Sequence, residues 1–137
     1  MGLVLDSSLL IAGERRGQRV WDILERVQNS QGSSEIVVSA ITVVELTHGI
    51  FRARSEADSK QRRAFVEELS QAISVQPVTL EVAQLAGRME GEQAAKGIVI
   101  ALPDLLIGVT ALHLGYAVAT LNLRHFQMIP GLRVISL

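Results

Sequence analysis

Short apolar runs alternate along the chain with longer segments in which apolar residues recur at the helical period. The short runs predict five β-strands, at residues 2–6, 35–40, 74–78, 116–121 and 132–137. The periodic segments predict six helices, at residues 8–13, 17–30, 41–54, 56–74, 79–96 and from 104 to about 115. Continuous apolar strands that alternate with helices indicate an α/β fold, in which a parallel β-sheet of about five strands is flanked by α-helices on both faces.

Single residues refine the ends of these elements. Ser7 or Ser8 is expected to cap the first helix, and Gly13 is expected to end it. Pro77 has no backbone N–H to give to a neighbouring strand, so the third strand is predicted to lie at an edge of the sheet. Phe126, in a short turn after the fourth strand, is predicted to anchor the core.

The composition fits one globular domain over residues 1–137. Hydrophobic residues make up 48% of the chain, which is enough for a core and excludes general disorder. Cysteine is absent, so thiolate metal sites and cysteine nucleophiles are excluded, and a cytoplasmic location is expected. No apolar run approaches the roughly 20 residues that span a bilayer, and no signal peptide is recognisable. Because the net charge is −1, nucleic-acid binding would require local positive charge or a bound cation.

Functional groups of open α/β sheets gather at the carboxyl ends of the strands, and four residues with oxygen donors are candidates for such a site. Asp6 ends the first strand, and Asn122 follows the fourth. Glu45 lies one turn inside the apolar helix after the second strand. Asp104 heads the apolar helix that precedes the fourth strand. The predicted fold therefore allows these four positions to meet at one edge of the sheet.

Each of these residues also has a simpler interpretation. Asp6, Asp104 and Asn122 are all good helix-capping residues, and each could serve only that purpose. Glu45 has apolar neighbours in the sequence, and an unpaired buried carboxylate is costly. A surface ion pair with an arginine of the same predicted helix, Arg52 or Arg54, is the simplest alternative for Glu45.

Three carboxylates close together would repel one another unless a cation neutralised them. A hard divalent ion with oxygen ligands, Mg²⁺ or Mn²⁺, suits a chain without cysteine or paired histidines. The chemistry that such a site indicates is attack of a metal-activated water on a phosphodiester.

The chain resembles the PIN-domain ribonucleases, and within them the VapC-type toxins of bacterial and archaeal toxin–antitoxin pairs. The resemblance rests on four segments in order: LVLDSSLLIA, VVSAITVVELTHGI, LPDLLIGVTALHLGYAVATLNLRHF and IPGLRVIS. It spans nearly the whole chain, and residues 55–95 are its least distinctive part. It implies a PIN-like sheet with an acidic Mg²⁺ pocket, in which Mn²⁺ can substitute.

The resemblance also implies roles for individual residues. The three acids of the family correspond to Asp6, Glu45 and Asp104, and a fourth acidic or amide position corresponds to Asn122. Many members carry Asp at that fourth position, whereas this chain has the neutral Asn122. The loss of one negative charge counts against the binding of a second metal ion. Three further residues, at the metal shell or beside the substrate, are candidates on weaker grounds: Thr120, Ser7 and Arg124.

The implied partners are an RNA substrate, a small cognate antitoxin and a second copy of the chain as a homodimer. The helical segments between residues 17 and 75 are expected to form the antitoxin groove, which would accept apolar anchors at helical spacing. His125 is interpreted as a structural residue of its loop, with a general-base role as the alternative. Two basic clusters, at residues 15–19 and 52–63, are solvated surface or contacts for RNA phosphates.

Two rival functions remain. A receiver-type phosphoacceptor domain would need paired acids after the first strand and a lysine near the last. Here Asp6 is followed by two serines, and the only lysines are Lys60 and Lys96, so that rival is disfavoured. The other rival is a catalytically silent PIN-fold binding module, which predicts loss of the acids, whereas three of the four positions are acidic. The sequence therefore predicts a metal-dependent endoribonuclease of toxin type.

Overall fold

The computed structural model describes residues 1–32 and 34–137. Its five strands form one sheet in the order β3-β2-β1-β4-β5, and every neighbouring pair is parallel. The strands are β1 (Gly2–Leu5), β2 (Glu35–Ser39), β3 (Ser74–Gln76), β4 (Ala117–Thr120) and β5 (Val134–Ser136). The predicted α/β fold with a parallel five-stranded sheet is confirmed, and β3, next to Pro77, lies at an edge.

Helices cover both faces of this sheet. They are α1 (Ser7–Arg15), α2 (Val20–Gln31), α3 (Ala40–Phe51), α4 (Glu56–Ala72), α5 (Leu80–Ala94), α6 (Leu102–Leu114) and α7 (Leu123–Gln127). Alternate residues of β1 divide between two buried clusters, because successive side chains of a strand point to opposite faces. Leu3 and Leu5 pack with residues of α1, α2 and α4, whereas Val4 packs with residues of α5, α6 and α7. In the described part of the chain, no helix is both long enough and apolar enough to cross a membrane.

The start and end of α1 differ from the prediction. The helix passes through Gly13 and ends at Arg15, and the turn follows at Gly17, whose φ is +74°. Gly13 lies within the helix, and its lack of a side chain leaves room for Ile23, which packs where a Cβ would lie. The predicted capping by Ser7 or Ser8 was also wrong, because Asp6 occupies the N-cap position.

The short segment α7 is fixed to the domain by three contacts. Phe126 is fully buried, as predicted for a core anchor. Ile129 packs against α6 at Gly108, where a Cβ would overlap its side chain. The side-chain amide of Gln93, on α5, donates to the backbone carbonyl of Met128 at 3.0 Å. These contacts hold the segment after β4 firmly beside the first turn of α6.

The order of the strands creates a switch point between β1 and β4. From β1 the chain builds β2 and β3 on one side, and then crosses to build β4 and β5 on the other. In open α/β sheets, the crevice at the carboxyl ends of the strands flanking such a point is the usual ligand site. Here it lies between Asp6, which follows β1, and Leu121, which follows β4.

Candidate active site

Asp6 is a buried carboxylate that is held by hydroxyl groups. Its side chain is only 3% exposed and makes no capping hydrogen bond to α1, although its backbone has the extended N-cap conformation. Oδ2 of Asp6 accepts hydrogen bonds from Ser8 Oγ at 2.7 Å and from Thr120 Oγ1 at 2.8 Å. Ser7 Oγ lies 3.4 Å from the other oxygen, Oδ1. The capping interpretation fails for Asp6, and Oδ1 is the oxygen with more freedom to bind a ligand.

The two hydroxyls on Asp6 are themselves held by the backbone that leaves β4. The N–H of Leu121 donates to Ser8 Oγ at 3.1 Å, and the N–H of Asn122 donates to Thr120 Oγ1 at 2.8 Å. Asp6 is thereby fixed from both sides of the switch point. Ser8 was not among the predicted site residues. Its only sequence signal was its position two residues after Asp6, in a pair of serines.

Glu45 reaches the same region from α3. Its Oε1 is buried and has no hydrogen-bond partner among the described residues, and none of the ion pairs found there joins Glu45 to Arg52 or Arg54. Burial raises the pKa of the Glu45 carboxyl; the Ser7 hydroxyl partly offsets this, and the charges of Asp6 and Asp104 raise it further. Glu45 is therefore an electrostatically unsatisfied acid that faces two others.

Asp104 is the third residue of α6, not its cap. The N-cap is Ala101, and no side chain caps this helix. Burial raises the pKa of the Asp104 carboxyl, the charge of Asp6 raises it further, and the imidazole of His125 opposes both. Nδ1 of His125 lies 3.3 Å from Oδ2 of Asp104. The charge of Asp6 thus raises the pKa of both Glu45 and Asp104, so the three acids lie within electrostatic range of one another.

Asn122 and Arg124 lie at the rim of this group. Asn122 is the N-cap residue of α7, but its side chain makes no capping hydrogen bond. Asn122 takes part in the hydrogen-bond network around Asp6 through its backbone N–H, which donates to Thr120 Oγ1. Arg124 is exposed and forms no ion pair with the three acids in the residues that the structure describes. Neither side chain has a contact that assigns it a role.

The spacing of the acids limits how they could hold an ion. Within residues 1–32 and 34–137, no three His, Asp or Glu side chains are close enough together to ligate one ion directly. A hydrated cation fits this arrangement better than a bare one, because Mg²⁺ usually keeps several waters and takes only one or two carboxylates directly.

A cavity of about 460 Å³ opens beside Glu45, between α1, α3 and α4. Its apolar lining comes from Ile11, Leu46, Phe65 and Val66. Its ionisable lining includes Glu14, Arg15, His48, Arg52, Arg54, Asp58 and Arg62. The acidic group therefore borders a groove that has an apolar floor and mostly basic walls.

Comparison with known proteins gives a consistent result. The PIN domain family model matches residues 3–131. The chain is 30% identical over 138 residues to ribonuclease VapC1 of Rickettsia felis, covering 99% of this chain and 96% of the relative. It is 31% identical over 102 residues to the tRNA(fMet)-specific endonuclease VapC of Salmonella typhimurium, covering 74% and 75%.

Solved structures agree with this result. The DNA-bound VapBC structure from Salmonella typhimurium contains a chain that matches with a TM-score of 0.82 and 28% identity, over 99% of this chain and 98% of that one. The protein belongs to the PIN-domain family, and within that family to the VapC ribonucleases.

Proposed function

We propose that residues 1–137 form a single PIN domain that cleaves RNA phosphodiester bonds with the help of Mg²⁺, for which Mn²⁺ substitutes, and that it is the toxin of a toxin–antitoxin pair. The observation that carries the proposal is the buried Asp6 carboxylate, held by Ser8 and Thr120 at the β1–β4 switch point, whose charge raises the pKa of Glu45 and of Asp104. Family membership supports the same activity, because the curated relatives are named as ribonucleases.

The donor set fits a hard divalent cation. Oε1 of Glu45 is a buried anionic oxygen without a hydrogen-bond donor among the described residues, and the pKa of the Glu45 carboxyl is raised. A cation among the three acids would relieve both effects. Asp6, Glu45 and Asp104 would hold it, directly or through waters, and Asn122 would complete the pocket with a neutral oxygen.

When bound, such a cation lowers the pKa of water and stabilises the negative charge that develops on phosphorus. The residues of the chain contribute by orienting the carboxylates that would bind this cation. Ser8 and Thr120 occupy Oδ2 of Asp6 and so orient its other oxygen. Ser7 lies beside Oδ1 of Asp6, and we assign Thr120 and Ser7 to the metal shell in this supporting sense. Arg124, exposed at the rim, is assigned to phosphate contact.

The partners follow from the relatives and from the cavity. The matched Salmonella structure is of VapBC, and we propose that this chain likewise binds a small antitoxin, at the groove beside Glu45. Its apolar floor suits the anchors of an amphipathic segment. We also propose a homodimer and action in the cytoplasm on RNA. Sedimentation of the purified chain as a monomer at micromolar concentration would overturn the dimer.

The test of the proposed activity is cleavage of a panel of transfer, ribosomal and messenger RNAs by antitoxin-free protein in Mg²⁺, Mn²⁺ or EDTA. The variant is Asp6→Asn, and the matched control is Glu90→Gln, which changes an exposed acid on α5. We expect the wild type and the control to yield discrete RNA cleavage products in Mg²⁺ or Mn²⁺ but not in EDTA. Mn²⁺ binding without cleavage of any RNA in the panel would favour the catalytically silent binding module.

A further inference from the structure

The three acids of the site differ in what holds them. Asp6 receives two short hydrogen bonds from hydroxyl groups, and Ser7 lies beside Asp6 and lowers the pKa of Glu45. Asp104 has no hydrogen bond from a hydroxyl or an amide among the described residues. Its one basic partner among the ion-pair contacts there is the imidazole of His125, whose Nδ1 lies 3.3 Å from Oδ2 of Asp104.

His125 is mounted on a segment that does not need it for packing. Its side chain is 57% exposed, whereas the next residue, Phe126, is fully buried. Ile129 against Gly108 and the bond from Gln93 to Met128 fix the rest of this segment. The imidazole therefore contributes little buried area, but it is presented to Asp104 on a fixed backbone.

We propose that His125 is a positioning residue that orients the Asp104 carboxylate for cation binding through its Nδ1 atom. The inference rests on the proposed function, because it assigns a ligand role to Asp104. The neighbouring carboxylate favours the tautomer with the proton on Nδ1. A hydrogen bond from Nδ1 to Oδ2, formed across this 3.3 Å contact, would restrict rotation of the carboxylate and leave Oδ1 for the cation. Contacts of this kind behind a metal ligand change metal affinity by about 10–100-fold.

Three substitutions separate positioning from other roles. His125→Ala removes the imidazole. His125→Asn places an amide N–H close to the position of Nδ1, whereas His125→Gln places its amide near the position of Nε2. The matched control is His113→Ala, which removes an exposed histidine from the last turn of α6, the helix that carries Asp104 at its other end.

The measurement is Mn²⁺ affinity by calorimetry or electron paramagnetic resonance, together with the melting temperature in EDTA. We expect His125→Ala to weaken Mn²⁺ binding about tenfold, and His125→Asn to restore most of the affinity. His125→Gln should remain weak, and His113→Ala should bind like wild type. All four variants should melt near the wild-type temperature in EDTA. Cleavage by His125→Ala should recover at saturating Mn²⁺.

Two results would overturn the inference while leaving the metal site intact. One is wild-type Mn²⁺ affinity in His125→Ala. The other is rescue by Gln but not by Asn, which would mean that Nε2 contacts the ion or the RNA directly. A wild-type protein whose Mn²⁺ binding is absent, or is unchanged by Asp104→Asn, would overturn the metal site and this inference together.

Discussion

Thr120 Oγ1 donates a 2.8 Å hydrogen bond to Oδ2 of Asp6 and so joins the carboxyl ends of β4 and β1. The two residues are 114 positions apart in the sequence, and both are buried. The same hydroxyl accepts the N–H of Asn122, so a single side chain connects the first acid of the site to the segment after β4. The position of Asp6 therefore depends on tertiary structure as well as on its own strand.

Replacing Thr120 by valine should separate this role from general packing. Thr120→Val keeps the shape of the side chain but leaves the N–H of Asn122 without its acceptor, which costs about 1–3 kcal/mol. We expect Mn²⁺ affinity to fall by about 10–100-fold. The matched control is Thr110→Val, which removes another buried hydroxyl, bonded only to a carbonyl of its own helix. Equal loss of Mn²⁺ affinity in both variants would contradict the role of Thr120.

Asp104→Asn should abolish cleavage and raise the melting temperature in metal-free buffer. The substitution removes a carboxylate whose pKa is raised by burial and by the charge of Asp6, so it relieves both penalties. Differential scanning calorimetry in EDTA, with an RNA cleavage assay in Mn²⁺, measures the two effects. Undiminished RNA cleavage by Asp104→Asn would show that Asp104 is not part of the active site. A lower melting temperature in EDTA would contradict the proposed repulsion between Asp104 and Asp6.

The stability of the metal-free protein should depend on pH in a defined direction. Burial and the other two acids raise the pKa of Glu45, so its contribution to folding is present at low pH and is lost as pH rises through the folded-state pKa. Melting curves of wild type and Glu45→Gln in EDTA should coincide near pH 4 and diverge above it, with the variant more stable. Saturating Mn²⁺ should reverse that order at neutral pH. A difference in melting temperature between wild type and Glu45→Gln that does not change with pH would contradict the raised pKa of Glu45.

Gly108 should contribute to the close packing of the segment that carries Asn122 and His125. A methyl group at this position would overlap the side chain of Ile129, and overpacking of this kind costs about 1–3 kcal/mol. Gly108→Ala should therefore lower the melting temperature and weaken Mn²⁺ binding. Gly87→Ala, in the middle of α5 with no neighbour near its Cβ, should instead stabilise the protein by about 0.5–1 kcal/mol. Stabilisation by both variants would show that Ile129 adjusts freely.

Periodicity and turn chemistry were sufficient to predict the sheet, its parallel strands, the position of Asp6 at the end of β1 and that of Asp104 at the start of α6. They failed where contacts with residues distant in the sequence determine where a helix ends or which side chains hold Asp6. Gly13 does not end α1; its small size instead lets Ile23 of α2 pack closely against the helix. Ser8 was missed, because its importance comes from Asp6 and from the N–H of Leu121. Local sequence carries no signal for these contacts.

The same limit applies to the choice between capping and ligand binding. Asp6 and Asn122 do occupy N-cap positions, and sequence alone cannot tell whether a side chain at such a position bonds to its own helix. In the folded protein neither side chain caps the backbone of its helix. Oδ2 of Asp6 instead accepts hydrogen bonds from the hydroxyls of Ser8 and Thr120. The pairing of His125 with Asp104 likewise depends on how α7 docks against α6, which involves Gln93, Gly108 and Ile129.

The most direct test of the central claim is anomalous diffraction from crystals of the antitoxin-free protein soaked in Mn²⁺. The account predicts a Mn²⁺ peak among the carboxylates of Asp6, Glu45 and Asp104, with Oδ1 of Asp6 closer to the ion than Oδ2, and loss of that peak in Asp104→Asn. A peak at another position, with this acidic group empty at saturating Mn²⁺, would contradict the assignment of the three acids as the metal site.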